Sequence, residues 1–143
     1  MEIEEKAKNM IKKDQASCVI IKDNEIIHTA AGRGVGPLIS IYENGREALQ
    51  DSFVIDKVIG KAAALIIILG QADKAYGSLM STPAFDFLKA RDCKVEYDKM
   101  VENIINRSGD DLCPLEKAVL NIEDPKTGYH QLKKTLSHLK KEN

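Results

Sequence analysis

The stretch Val54-Ile55-Asp56-Lys57-Val58-Ile59-Gly60-Lys61-Ala62-Ala63-Ala64-Leu65-Ile66-Ile67-Ile68-Leu69-Gly70-Gln71-Ala72 decides the fold. Its isoleucine run invites a strand. Yet Val58, Ala62, Leu65, Ile66 and Leu69 recur at helical spacing, and three alanines precede the isoleucines. The spacing predicts one helix over roughly 54–71, kinked at Gly60. A helix that is apolar on most sides has to lie between layers, so this segment becomes the centre of the molecule.

Working outward toward the C-terminus, Ala75 to Met80 reads as a short inner strand. Thr82-Pro83 reads as a helix start, with Thr82 as the cap and Pro83 at the first helical position. Cys93 to Tyr97 alternates as a strand, and residues 98–105 suit a short helix or a strand with an irregular exit. Asn106 to Asp110 is a loop and Cys113 to Leu120 a short helix. An amphipathic helix near 129–140 carries the apolar stripe Leu132, Leu136 and Leu139. Toward the N-terminus, residues 2–14 form an amphipathic helix on Ile3, Ala7, Met10 and Ile11. Ser17–Lys22 and Glu25–Thr29 make a hairpin about Asp23-Asn24. Ala31–Pro37 is a glycine-rich loop that feeds a helix at Leu38–Tyr42, and another helix follows Gly45. This order argues for a layered α/β domain in which strands joined through helices run parallel with right-handed crossovers.

The 143 residues suit one domain. Twenty-one basic against 22 acidic residues give a formal charge of −1, which argues against a general nucleic-acid binder, whose affinity rests on phosphate neutralisation. The acidic start Met1-Glu2-Ile3-Glu4-Glu5-Lys6 lacks the pattern of a secretory leader. The longest apolar block, Ala62–Leu69, is too short to span a bilayer. A soluble cytoplasmic protein with no membrane partner is expected. Cys18, Cys93 and Cys113 are odd in number and widely spaced, so free thiols are expected rather than disulfides or a Cys-x-x-Cys metal site.

Three places carry chemistry. In Gly32-Arg33-Gly34-Val35-Gly36-Pro37 the glycines permit tight turns, and the N–H groups of the following helix could receive an anion clasped by Arg33. The plain alternative is a shaped connection with a solvated Arg33; the run fits neither the P-loop nor the dinucleotide fingerprint. Lys61 would be costly to bury unless paired, which makes it a pocket candidate; the alternative puts Lys57 and Lys61 on a solvent edge. Cys113-Pro114-Leu115-Glu116 places a thiol at a helix start, with Glu116 three residues on, but Asp110 and Asp111 oppose a thiolate. The histidines His28, His130 and His138 are scattered, so no metal site is expected.

The hairpin, the central helix, and Ser81-Thr82-Pro83-Ala84-Phe85-Asp86-Phe87 followed by Cys93-Lys94-Val95-Glu96-Tyr97 resemble the cytidine-deaminase-like fold. More closely, the chain resembles a small uncharacterised microbial family treated as an atypical, zinc-less branch of that superfamily. Gly34-Val35-Gly36-Pro37-Leu38, Asp56-Lys57 with Gly60-Lys61-Ala62, and Cys113-Pro114-Leu115-Glu116 carry the match, which spans most of residues 8–123. The resemblance implies a single domain over 1–143, built as a three-layer α/β/α sandwich with a mixed sheet opened by a β-hairpin. It also implies a homodimer. Active members of the superfamily place a His/Cys-Ala-Glu motif at the start of the central helix and Pro-Cys-x-x-Cys at the start of the next, so that zinc activates water and the glutamate moves protons. Here Gly60-Lys61-Ala62-Ala63 offers neither ligand nor glutamate. Pro83 remains, but Ala84 and Phe87 stand where the thiolates would be.

Zinc-dependent deamination is therefore not expected, and neither is a metal or another cofactor. The expected pocket lies between the N-termini of the central and following helices, with Arg33, Gly34, Gly36, Lys61, Ser81 and Thr82 as ligand-binding candidates. The leading reading is a noncatalytic or regulatory domain for a small anionic or nucleotide-like ligand. The runner-up is an enzyme of different chemistry, with Cys113 as nucleophile aided by Lys61 or Glu116. A structural or protein-interaction domain is the third, and fold analogy cannot choose among them.

Overall fold

The computed structural model describes residues 2–142. Along the chain run α1 (Glu2–Lys12), β1 (Cys18–Lys22), β2 (Glu25–Ala30), α2 (Gly36–Gly45) and a short 3₁₀ turn at Arg46–Ala48. There follow β3 (Phe53–Ile59), α3 (Lys61–Leu69), β4 (Lys74–Ser81), α4 (Thr82–Lys89), β5 (Lys94–Val101), α5 (Pro114–Val119) and α6 (Pro125–Glu142).

The deciding stretch is a strand and a helix, not one kinked helix. Gly60 is the boundary between them, in extended conformation at φ −100°, ψ −176°. Before it, Val54, Ile55, Val58 and Ile59 are β-branched; Val54 and Ile55 find ladder partners on both sides, from β1 and β4, and Val58 and Ile59 find theirs on β4. After it, Ala62–Ala64 favour helix, and the isoleucines follow because every side of that helix is covered. Residues 62–67 are at most 2% exposed. Helical spacing across Gly60 was thus accidental: two periods met in one apolar run.

The five strands lie in the order β2-β1-β3-β4-β5. Asp23 and Asn24 both take positive φ (52° and 62°), the geometry of a type I′ hairpin turn, and β1 pairs antiparallel with β2 and β3. The units β3-α3-β4 and β4-α4-β5 are parallel, as strands joined through helices require. Side chains alternate across the sheet. Val19, Ile21, Phe53, Ile55 and Tyr76 meet Ala7 and Ile11 of α1 on one face. Cys18, Ile20, Val54 and Ala75 meet the layer built around α3 on the other, which includes Leu38, Leu88 and Leu132. Each fully buried Leu or Ile there contributes about 1.5–3 kcal/mol.

Element ends differ from the sequence expectation in instructive ways. Ser81, not Thr82, caps α4: its Oγ accepts the Ala84 N–H at 3.2 Å, while the Thr82 hydroxyl donates to the Val101 carbonyl at 3.3 Å. β5 runs on to Val101, and a bridge between Ile105 and Leu112 closes the loop beyond it. α6 starts at Pro125, ahead of the expected residue 129, because Asp124 accepts the Thr127 N–H at 2.9 Å and Pro125 suits a first turn. Gly128 therefore lies inside the helix, where a Cβ would come within 2.6 Å of Leu65 Cδ1. Among the described residues, no helix is long and apolar enough to cross a membrane.

The α3–α6 seam makes a double-mutant test. Leu65→Ala should cost about 2–5 kcal/mol in urea denaturation. Gly128→Ala alone should cost about 1–3 kcal/mol from overpacking, outweighing its gain of at most about 1 kcal/mol in helix propensity. In the Leu65→Ala background the same glycine substitution should become neutral or stabilising.

Candidate functional site

Because β1 runs against β3, the start of β1 and the end of β2 arrive beside the C-terminal end of β3. The Lys57 N–H donates to the Ser17 carbonyl at 3.0 Å, and the Ser17 N–H to that of Ala30 at 2.9 Å. The glycine loop leaves β2 here, α3 starts here, and α5 returns here. Between them lies a cavity of about 370 Å³, outside the carboxyl end of a parallel strand, where open α/β sheets commonly place ligands. Arg33, Gly34, Asp56, Cys113 and Glu116 line it, with Asp14, Ser17 and Lys57 at one side and Val35, Val58, Ala62, Ala63, Ile104 and Leu115 as apolar wall.

The start of α3 is already occupied by an anion of the protein's own. Glu116, 8% exposed, reaches from α5 so that Oε1 accepts the Lys61 N–H at 2.7 Å and Oε2 accepts the Ala62 N–H at 2.8 Å. One carboxylate thereby satisfies two of the donors that a helix leaves open at its first turn, where the helix dipole also favours negative charge. Burial nonetheless pushes the Glu116 carboxyl above its usual value, against the lowering by these two amides and by Lys61. A Cβ on residue 60 would fall 2.6 Å from this carboxylate, so Gly60 is required by close approach. The helix terminus expected to receive a ligand anion has its first two N–H groups filled.

Asp56 is the second buried carboxylate, 6% exposed on the α3 side of β3. Its Oδ1 accepts the N–H of Lys57 at 2.7 Å. Burial pushes its carboxyl up to about 7, opposed by the backbone N–H groups of Lys57 and Val58. Cys18, its cross-strand neighbour, has a thiol pushed well above its ordinary value by burial and by the charge of Asp56.

The expected site residues divide into two places. Arg33, Gly34, Cys113 and Glu116 border the cavity; Gly36, the first residue of α2, does not. Arg33 is exposed and makes no ion pair among the described residues. The Lys61 side chain turns away from the cavity. Its ammonium, 4% exposed with the rest of the residue, donates to the Leu120 carbonyl at 2.9 Å and pairs with Glu123 at 2.8 Å, over the Phe87 ring. It lies with Thr82 in a separate surface depression, while Ser81 is buried as a cap. Lys61 thus cannot assist Cys113, whose Sγ has no hydrogen-bond partner among the described residues. Asp14 and Ser17 carry no signal in the sequence, and a helical reading of 54–59 hides that strand ends bring them beside Asp56. The usable signal was an aspartate in a β-branched run just before a glycine. Among the described residues, no group of three or more His, Cys, Asp or Glu is placed to hold a metal ion, so the machinery of a zinc-dependent deaminase is lacking.

A family model described as TM1506, a domain of unknown function (DUF1893), matches residues 6–136. No curated protein matches the chain. Among solved structures, that of a DUF1893 family protein (TM1506) from Thermotoga maritima is similar with a TM-score of 0.81 at 25% identity, covering 90% of this chain and 86% of that one. Two forms of Acinetobacter baumannii RibD give TM-scores of 0.46 at 18% and 17% identity, covering 66% and 90% of this chain but 33% and 41% of RibD.

Both buried carboxylates make measurable predictions. Glu116→Ala should destabilise the protein by about 2–4 kcal/mol, since it strands two buried donors, and Glu116→Gln by less because one acceptor oxygen remains. Millimolar acetate should raise the melting temperature of Glu116→Ala and leave the parent unchanged. For Asp56, the folded-state value near 7 lies above the ordinary 3.8, so the folded state holds the proton more tightly. Stability from this group is full below about pH 4 and is lost as pH rises to about 7, by about 4 kcal/mol at most. Glu116 slopes the same way, so the difference between parent and Asp56→Asn melts isolates Asp56; the variant should be the more stable protein at pH 8.

Proposed function

We propose that this chain, which belongs to the DUF1893 family, is a noncatalytic small-ligand-binding or regulatory domain whose ligand is anionic or nucleotide-like. The observation that carries this is a cavity of about 370 Å³ walled by apolar side chains, with charged groups at different depths. Its size falls at the lower end of the range of about 300–1,000 Å³ common for small-molecule sites. Asp56 and Glu116 are buried, whereas Arg33 stands exposed on the glycine loop. A ligand with a planar polar ring and an anionic arm suits that order: ring inward, arm toward Arg33, which offers paired donors to a phosphate or carboxylate. The hairpin at one edge of the mixed sheet, with α1 on one face and the remaining helices on the other, supports reading residues 1–143 as a cytidine-deaminase-like α/β/α sandwich.

An enzyme using Cys113 is the second reading, favoured by one observation: the half-buried thiol borders the same cavity as Asp56 and Glu116. It ranks lower because both Glu116 oxygens are engaged by α3 and Lys61 is turned elsewhere. Selective alkylation of Cys113, blocked by a bound ligand and accompanied by turnover, would raise it above the first.

A thermal-shift panel of nucleosides, nucleotides and other small metabolites against the full-length protein should give stabilising hits, with phosphate-bearing compounds among them. Arg33→Ala should then weaken those compounds about tenfold or more, as loss of a charge-assisted hydrogen bond implies, and spare uncharged ones. A panel that leaves the melting temperature unmoved throughout would count against a ligand site.

A further inference from the structure

The inner wall of the cavity has a chemical preference of its own, and the inference rests on the ligand-binding reading above. Glu116 has both oxygens committed to the first turn of α3. The Ser17 hydroxyl donates to the Ala30 carbonyl at 3.2 Å, and Asp14 pairs with the Lys57 ammonium at 2.9 Å. Asp56 is different. It is buried and lines the cavity, yet its partners are the backbone N–H groups of its own strand. Among the described residues, no Lys, Arg or His nitrogen comes within 4.0 Å of its oxygens, and the neighbouring Lys57 sends its ammonium outward to Asp14. A buried carboxylate without a cation is expensive to keep, and each carboxylate oxygen has room for more than one donor. An anion pushed to this depth would meet two acidic side chains at once.

We propose that the cavity selects ligands that bring a nitrogen-borne hydrogen-bond donor or cation to the Asp56 carboxylate: an amidine, or the amino-bearing edge of a nitrogen heterocycle. A planar group of this kind packs against Val58, Ala62 and Ala63 while its N–H groups meet the free acceptor capacity of Asp56. A carboxylate, or a heterocycle with only acceptors on that edge, sets acceptor against acceptor. The geometry therefore separates the two ends of the ligand: donor at the Asp56 wall, any anionic arm at Arg33.

The test is a protein-detected NMR titration of the full-length chain with four fragments: benzamidine and 2-aminopyridine as donors, benzoate and 2-methoxypyridine as shape-matched controls that carry no N–H. The donors should shift the amide signals of Val58, Gly60 and Ala63 and bind at least tenfold more tightly than the controls. Asp56→Asn should remove that preference. Equal binding of all four, a preference for 2-methoxypyridine or benzoate, or a donor preference that survives in Asp56→Asn would overturn the proposal. If the metabolite panel gives ligands that map to the cavity while the donor fragments do not bind there, the donor preference fails and the ligand-binding reading stands. If neither metabolites nor fragments engage the cavity, both fail. The parent comparison decides the matter even if the Asp56 variant folds poorly, and Asp56→Leu provides a second variant without polar side-chain atoms.

Discussion

The contact on which the rest of this structure depends is one carboxylate bridging two consecutive backbone N–H groups. Glu116 on α5 closes the first turn of α3, the most deeply buried helix of the domain. The first-turn N–H groups of a buried helix need an acceptor, and here the chain supplies it. Supplying it from 55 residues away fixes α5 over the end of β3, demands glycine at position 60, and sets one wall of the cavity. The same contact explains why the domain needs no bound anion there.

Much of the architecture was readable because local rules agreed with one another. Asp23-Asn24 between two β-branched runs marks the hairpin, Pro83 marks a helix start, and helices between strands imply parallel neighbours. The failure at Val54–Ile59 came where two local rules conflicted. Spacing joined the segment to α3, and only pairing with β1 and β4 decided for a strand. Pairing is a long-range property that a linear reading does not contain. The same conflict hides the site: the cavity meets the start of α3, whereas the Lys61 ammonium faces the Leu120–Glu123 side. Glu116 and Cys113 were visible as a pair, but their role depended on a distance no spacing rule could supply.

The electrostatics of the cavity are ordered by depth. Arg33 is in water, where its charge costs little, while Asp56 and Glu116 are held at raised carboxyl values by burial. Glu116 recovers part of that cost through two amides in ideal range. Asp56 recovers less, from N–H groups of its own strand. Sites that retain an acid under such strain differ from ordinary core, which would place a valine there; the difference is what sets Asp56 apart from its β3 neighbours.

Lys61 has one further consequence. Its backbone N–H is held by residue 116 and its ammonium by residues 120 and 123, so a single position clasps both sides of one returning segment. During synthesis on the ribosome, α3 and the strands around it leave the exit tunnel well before that segment does. Until residue 123 has emerged, the first turn of α3 lacks its Glu116 acceptor and the Lys61 ammonium lacks its partners. The contacts that close the start of α3 therefore wait on a short returning stretch that also brings Val119 into the core.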